Sequence, residues 1–467
     1  MEVLGIILSL FLLMFFAYRG FSVILFAPVF ALLAASLQGF SVMPAYTELF
    51  MAKAVTYIKS FFPVFMLGAV FGKVMEDTGL AKSIARAIIQ GLGKERAILS
   101  VVLACAVLTY GGVSLFVVVF AVYPFAVALY KEADIPKRLL PGTIALGAFT
   151  FTMDCAPGTP QIQNLIPTSF FGTSIYAAPI SGLIGGILIF MLGMMWLTHR
   201  QKKAQANGEG YGVHTLNEPP ELDEATLKLP DWKISFLPLL TVLVVNFVLN
   251  SVFTWDPDLL KPFQAMKLPL TAVAVKNVVG IWSLIVALIC GILVAIAFGL
   301  KRMPEGGLKK ALNAGTIGSL LAIMNTASEV GYGNVIASLP GFKDIAHALL
   351  SIHIGGSPLV SEAVTVNVLA GITGSASGGM SIALDLMSKE WLAWAANIGM
   401  SPEILHRVAS MASGGMDTLP HNGAVITLLA VCGLTHKQSY GDIFAMTVIK
   451  TLMVFVIIMF HSMTGLL

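Results

Sequence analysis

Apolar runs close to the length of a bilayer crossing recur from one end of the chain to the other, parted by short polar, glycine- or proline-bearing joints. A crossing helix needs roughly 17 to 25 mostly apolar residues, and the pattern predicts helices at about 3–18, 20–37 and 61–75, with an amphipathic piece at about 45–59. The stretch "TGLAKSIARAIIQGLG" that follows spaces its apolar residues as one face of a surface helix. Two further apolar segments, within about 97–130, are each short for a crossing and are joined by "YGGVS", which predicts a re-entrant hairpin. A helix at about 139–170 is interrupted from Asp154 to Pro160, where proline and glycine deny the backbone its regular ladder. The run "ISGLIGGILIFMLGMMWL" closes this half.

The order then starts again. After the hydrophilic stretch 199–232 come predicted helices at about 234–253 and 278–299, the run "GSLLAIMNTASEVGYGNVIASLPGF", and a second hairpin at about 358–387. A helix at about 402–432 is broken at "SGGMDTLPHNGA", and a last helix runs near 442–463. "GGVS" at 111–114 matches "GGMS" at 378–381, and Met-Asp-x-x-Pro occurs at 153 and again at 416, so the separation of the two marks is nearly the same in both halves. An odd number of crossings in the first half would start the second from the opposite side of the membrane. The expectation is an all-α polytopic membrane protein with about 11 membrane-spanning segments, built from two inverted repeats (1–198 and 233–467) joined by a linker (199–232). Interrupted helices at matching positions of two halves are the sequence pointer to a secondary transporter.

Composition narrows this further. Of 467 residues, 57% are hydrophobic and 11% charged, with mean hydropathy +0.86, which leaves no room for a soluble catalytic domain. The first apolar run has no basic segment before it and no cleavage site after it, and reads as a retained helix. Cys105, Cys155, Cys290 and Cys432 are scattered singly, without disulfide or zinc spacing. Most of the 28 Lys and Arg, among them Lys94, Arg96, Lys137, Arg138, Arg200, Lys202, Lys301 and Lys309, fall on one side of the predicted topology. That excess makes the central linker cytoplasmic and the N-terminus external. Charges confined to span ends argue against a nucleic-acid surface, and the acidic run Glu218–Glu224 reads as solvated.

An ionisable group at the bilayer centre costs at least about 2.5 to 3.5 kcal/mol, so Asp154 and Asp417 are expected to face a cavity and to serve in ion or proton coupling, with His421 as a further proton carrier. The alternative is that each aspartate caps the resumed half-helix. Half-helix N-termini hold anions through backbone N–H groups, and the breaks and hairpin tips themselves carry no Lys or Arg. The candidate substrate residues are Tyr110, Gly111, Gly112 and Ser114 at the first tip and Thr373, Ser375, Ser377, Gly378, Gly379 and Ser381 at the second. Gly158, Thr159, Gln161 and Asn164 in the first break and Thr418 and Asn422 in the second complete the set. N–H, hydroxyl and amide groups of this kind suit a hydroxylated carboxylate; close helix packing is the alternative use of the small residues. Glu329 and Glu362 are weaker coupling candidates, Arg407 and Asp385 are expected to pair structurally, and His406 and His436 to lie at the interface. No nucleotide loop, metal cluster or nucleophile elbow is present, so neither an enzyme nor ATP-driven transport by this chain is expected, and no cofactor.

Taken together, "LGAVFGKVMEDTGLAKSIA", "GTPQIQNLIPTSFFGT", "YAAPISG" and "TLPHNGAVITLLAVCGL" make the chain resemble, over nearly its whole length, the gluconate permease (GntP) family of the ion transporter superfamily. The branch it looks most similar to is the 3-hydroxybutyrate type. The resemblance implies proton symport of a small hydroxy-monocarboxylate across a bacterial cytoplasmic membrane by a homodimer whose transport domains move like elevators. Sodium in place of the proton, or a cation/proton antiporter of the same architecture, remain the alternatives. Sugar-acid permeases carry an acidic residue at the first tip and a His-Pro-rich break; here "YGGVS" and "DCAPGTPQ" stand instead, implying a shorter, more apolar substrate than gluconate.

Overall fold

A computed structural model describes residues 2–19, 21–113, 115–219, 229–267, 270, 274–304, 306–351, 356–420 and 422–467. Of the site residues expected from the sequence, Ser114 and His421 lie outside the described residues, as do Glu221, Asp223 and Glu224 of the linker. All regular structure among the described residues is helical. Val42–Asp77, Pro179–Ala206, Trp232–Val252, Val279–Arg302 and His436–Thr464 are long and apolar enough to cross a bilayer. The fold is thus that of a polytopic membrane protein. The exposed faces of these helices are apolar too: Leu183, Ile187, Met191 and Met195 follow one another at every fourth position of Pro179–Ala206, the outer stripe a helix needs against hydrocarbon.

The break expected near residue 60 does not occur. Val42–Asp77 runs on as one helix with a π-helical stretch at Ala45–Met51 and Pro63 inside it, because a neighbour supports it along its length. That neighbour is Gly307–Ser338, which packs against Val42–Asp77 and Val23–Leu37. At their crossing a side chain on Gly315 would meet the backbone of Val70, the close approach that small residues permit between membrane helices.

Two helical hairpins follow the same plan. Ala97–Tyr110 packs on Leu115–Glu132, and Leu359–Thr373 on Ala376–Asn397. Gly379 lets the second pair close, since a Cβ there would run into the backbone of Leu369 and Ala370. Each hairpin leads into a broken helix: Leu140–Ala148 and Ile162–Phe171 in one case, Pro402–Ser413 and Gly423–Cys432 in the other. The pieces exchange contacts reciprocally, Ile162–Phe171 packing on Ala376–Asn397 and Gly423–Cys432 on Leu115–Glu132. The closing helices Pro179–Ala206 and His436–Thr464 lie against each other.

The linker is not a free tether where it is described. Arg138 makes a two-pronged bond to Glu209, donating from Nε at 2.6 Å and Nη2 at 2.7 Å. Glu218, expected in solvent, instead accepts from Lys137 at 2.6 Å and Tyr211 at 2.9 Å and pairs with Lys131 at 2.7 Å. The Lys137 side chain is fully buried, and that buried charge is what draws the carboxylate in. Asn217 Nδ2 donates to the Ala430 carbonyl and the Asn217 carbonyl accepts from Tyr123, so residues 209–218 strap the first hairpin to the end of the second broken helix. Burial pushes the Glu218 carboxyl up, but bonds from Lys131, Lys137 and Tyr211 outweigh it and hold it below the ordinary glutamate value. A depressed carboxyl contributes stability above its unfolded pKa and loses it as pH falls through the folded one. The strap is therefore firm at neutral pH and loosens in acid. Glu218→Gln is expected to make residues 209–219 markedly more sensitive to limited proteolysis at pH 7; an unchanged cleavage rate would show that the carboxylate does not hold the strap.

Candidate functional site

Both broken helices deliver an aspartate to the same point. Asp154 ends the one-turn helix Phe151–Asp154, Asp417 sits in the 3-10 turn Met416–Thr418, and both are buried. Between them stands Lys450 from His436–Thr464, its side chain also buried, with Nζ 2.9 Å from Asp154 Oδ2 and 3.6 Å from Asp417 Oδ1. Lys450 also donates to the Phe149 carbonyl at 2.7 Å. That bond explains why the first break opens earlier than expected, at Phe149 and Thr150 rather than at Asp154: the carbonyl released from the helical ladder is taken by the ammonium. Thr152 Oγ1 donates to the Gly147 carbonyl and Thr150 Oγ1 to that of Leu146, satisfying two more groups. Cys155 Sγ lies 3.0 Å from Asp154 Oδ1. Gly414 makes room for the triad, since a Cβ there would overlap Asp154 Oδ2 and Lys450 Nζ.

Neither aspartate caps a resumed half-helix. Gln161 precedes Ile162–Phe171, and Asn422 caps Gly423–Cys432, its Oδ1 accepting from Ala424 at 2.6 Å. Two carboxylates share the one ammonium, and the buried guanidinium of Arg407, bonded to the Asp154 carbonyl, is the next cation. Asn367 Oδ1 and Thr451 Oγ1, both next to Gly415, have no hydrogen-bond partner, so polar atoms with spare capacity border the triad.

A second buried cation fixes the first break from outside. Arg407, expected beside Asp385, donates instead to the Ala177 carbonyl from Nε and Nη2 (3.2 and 2.7 Å), to the Asp154 carbonyl (3.2 Å) and to Asn164 Oδ1 (3.0 Å). Asp385 pairs with Lys53. The five donors of a guanidinium can span acceptors on separate turns, which the ammonium of a lysine cannot. His406, expected at an interface, is buried beside Arg407, with ring nitrogens 3.2 Å from Asn164 Oδ1 and 2.7 Å from Thr173 Oγ1. His436 is bonded to the Pro420 carbonyl at 2.8 Å.

The other candidates form clasps between each hairpin tip and its break. At the first, Tyr110 donates to the Pro157 carbonyl (2.8 Å) and Gln161 to that of Thr109 (2.7 Å). Gly111 faces Leu239, and Gly112 and Gly158 have left-handed backbone. Thr159 and Asn164 are turned inward, donating to the carbonyls of Thr152 and of Ile175. At the second, Asn422 donates to the Gly374 carbonyl (2.8 Å), Thr373 bonds back to Leu369, Ser381 donates to the Ser377 carbonyl, and Ser375 Oγ accepts from the Gly378 N–H. Thr418 Oγ1 is 2.6 Å from Thr447 Oγ1. In this conformation most of these side chains satisfy backbone freed by the tips and breaks.

A helical membrane fold with paired broken helices meeting at a buried charge cluster is the architecture of a transporter. Over the full length of both proteins the chain is 54% identical, across 478 aligned residues, to the protein named "Uncharacterized transporter YxjC" of Bacillus subtilis (strain 168). The chain belongs to that transporter family, and it is not an enzyme. Among solved structures it is similar to the YdaH transporter of Alcanivorax borkumensis (TM-score 0.52, 14% identity, 88% of each chain). It is also similar to MtrF of Neisseria gonorrhoeae, described as illuminating a class of antimetabolite efflux pumps (TM-score 0.55, 12% identity, 93% of this chain and 94% of that one). At such identities the likeness is one of fold alone. No protein-family model matches the chain.

Proposed function

We propose that the chain is a secondary active carrier that imports a small hydroxy-monocarboxylate, of the 3-hydroxybutyrate or gluconate kind, together with a proton across the bacterial cytoplasmic membrane. The observation that carries this reading is the convergence of Asp154 and Asp417 on Lys450: buried ionisable groups from both broken helices meet at one point, where a proton or cation can be exchanged as the helices move, which makes the site a coupling centre. The hairpin tips and breaks, with their N–H and hydroxyl groups, receive the anion, and the resemblance to gluconate permeases names its class. Inverted repeats 1–198 and 233–467 are part of the same proposal, supported by the recurring order of elements and their reciprocal packing. So are a cytoplasmic linker, an external N-terminus, a homodimer and elevator motion. Sodium is the alternative coupling ion, and a cation/proton antiporter the alternative carrier. Efflux, the activity named for the similarly folded MtrF, is one more reading.

Uptake of labelled 3-hydroxybutyrate into proteoliposomes with an alkaline interior tests the proposal. Accumulation that a protonophore abolishes is expected, and an unchanged rate without the pH gradient would sink proton coupling. Net loss from preloaded vesicles under the same gradient would mark an exporter. Asp154→Asn and Asp417→Asn are expected to impair driven accumulation more than substrate exchange, whereas equal loss of both would assign the aspartates a structural role.

A further inference from the structure

The triad accounts for two buried acids, but a third reaches the second hairpin tip with no cation beside it. Glu329, on Gly307–Ser338, is 3% exposed, and its Oε2 has no hydrogen-bond partner. It is aimed at the first turn of Ala376–Asn397: a Cβ on Gly378 would fall on Glu329 Oε2, with Ser375 Oγ close by. That turn opens a helix of 22 residues whose N-cap, Ser375, accepts only from the Gly378 N–H. The N-terminal end of such a helix carries partial positive charge and unpaired N–H groups, and it suits a carboxylate.

Ser375 offers its hydroxyl, and no cation among the described residues pairs with Glu329. Facing Glu329 from Val42–Asp77 is Tyr57, 5% exposed, whose hydroxyl lies beside Ser381. The charged pair of this region, Lys53 with Asp385, lies one helical turn beyond Tyr57 and Ser381 and balances itself. Glu362 is a further buried acid whose two oxygens are both without a hydrogen-bond partner, but it sits in the first turn of its own helix Leu359–Thr373, at the end of the hairpin away from the tip. Glu329 is thus set apart by what it points at.

We propose that Glu329 is a tethered carboxylate occupying the cradle at the second hairpin tip into which the transported anion docks, so that the anion enters only when Glu329 has taken up a proton. This rests on the reading of the chain as a carboxylate carrier. Two carboxylates cannot share one helix terminus in a low-dielectric interior, because like charges at that distance exclude each other. Protonation makes the glutamate a neutral donor that can yield the cradle, and substrate and proton then bind together although they never touch. Linkage makes the relation reciprocal: the anion binds more tightly as pH falls, and binding draws in a proton.

The test uses the purified full-length protein and 3-hydroxybutyrate, with affinity read by calorimetry between pH 6 and 8.5. For the wild type, affinity is expected to fall by up to about tenfold per pH unit over the upper part of this range. Glu329→Gln should flatten that profile and bind more tightly than the wild type at pH 8.5, whereas Glu362→Gln should keep the wild-type slope. A Glu329→Gln protein with the wild-type slope overturns the proposal. Proton uptake on binding, followed with an indicator dye in weak buffer, needs no variant: a wild type that takes up no proton at pH 8 overturns it too. If the wild type binds no hydroxy acid at any pH, the carboxylate reading itself falls, an outcome distinct from binding without pH dependence.

Discussion

Replacing Lys450 with methionine is expected to destabilise the protein by about 3 to 5 kcal/mol and to abolish driven transport, the range seen when one partner of a buried ion pair is removed. The size follows from burial: Lys450 and Asp154 are both sealed from solvent, so the aspartates left behind have no water to turn to. The Phe149 carbonyl loses its donor at the same time. The effect is read by thermal unfolding in detergent together with proteoliposome uptake. A triple variant, Lys450→Met with Asp154→Asn and Asp417→Asn, removes the stranded charges along with the lysine. It is expected to recover most of the lost stability and none of the gradient-driven uptake. A triple variant as unstable as the single one would mean that Lys450 acts through packing, not charge.

Arg407→Met is expected to cost roughly 3 kcal/mol, because the carbonyl of Ala177 loses both of its guanidinium donors inside the protein. Its functional effect is larger than that figure suggests. Arg407 and Ser410 together hold the Asp154 carbonyl, and a shift of that backbone moves the carboxylate away from Lys450. Transport is expected to fall roughly tenfold or more, as misplacement by about an ångström commonly does. Arg407→Lys keeps the charge but cannot span the acceptors, so it should resemble the methionine variant in transport. If the lysine variant transports normally, charge alone suffices and the clamp is dispensable.

The aspartates were legible in the sequence and their partner was not. Met-Asp-x-x-Pro repeats, and a repeat draws attention; Lys450 stands alone in "AMTVIKTLMVFVI", inside the expected last helix and outside any repeated motif. The signal was there in energetic form, since a lysine with apolar residues on both sides must find a carboxylate. Arg407 was paired in expectation with Asp385, but the match of charges along the chain carries no distance, and Asp385 had a nearer partner in Lys53. The polar residues of the tips and breaks were located by their glycines and prolines. Their bonding was not legible, because which carbonyl a side chain meets depends on how the broken pieces pack. The unbroken course of Val42–Asp77 and the buried seat of Glu218 have the same origin: a neighbouring element overrides the local pattern.

The triad also sets an order of events during synthesis. Lys450 meets the carbonyl of a residue 301 positions earlier, which at about 5 to 20 residues per second corresponds to roughly 15 to 60 seconds of translation. Throughout that interval Asp154 is in or near the membrane without its ammonium. A carboxylate without its ammonium is costly in hydrocarbon, so Asp154 is expected to stay hydrated or protonated in the nascent first half, and the centre is assembled only when the final helix arrives. Chains truncated before that helix would carry every candidate substrate residue and still have no finished site, which makes them natural targets for membrane quality control.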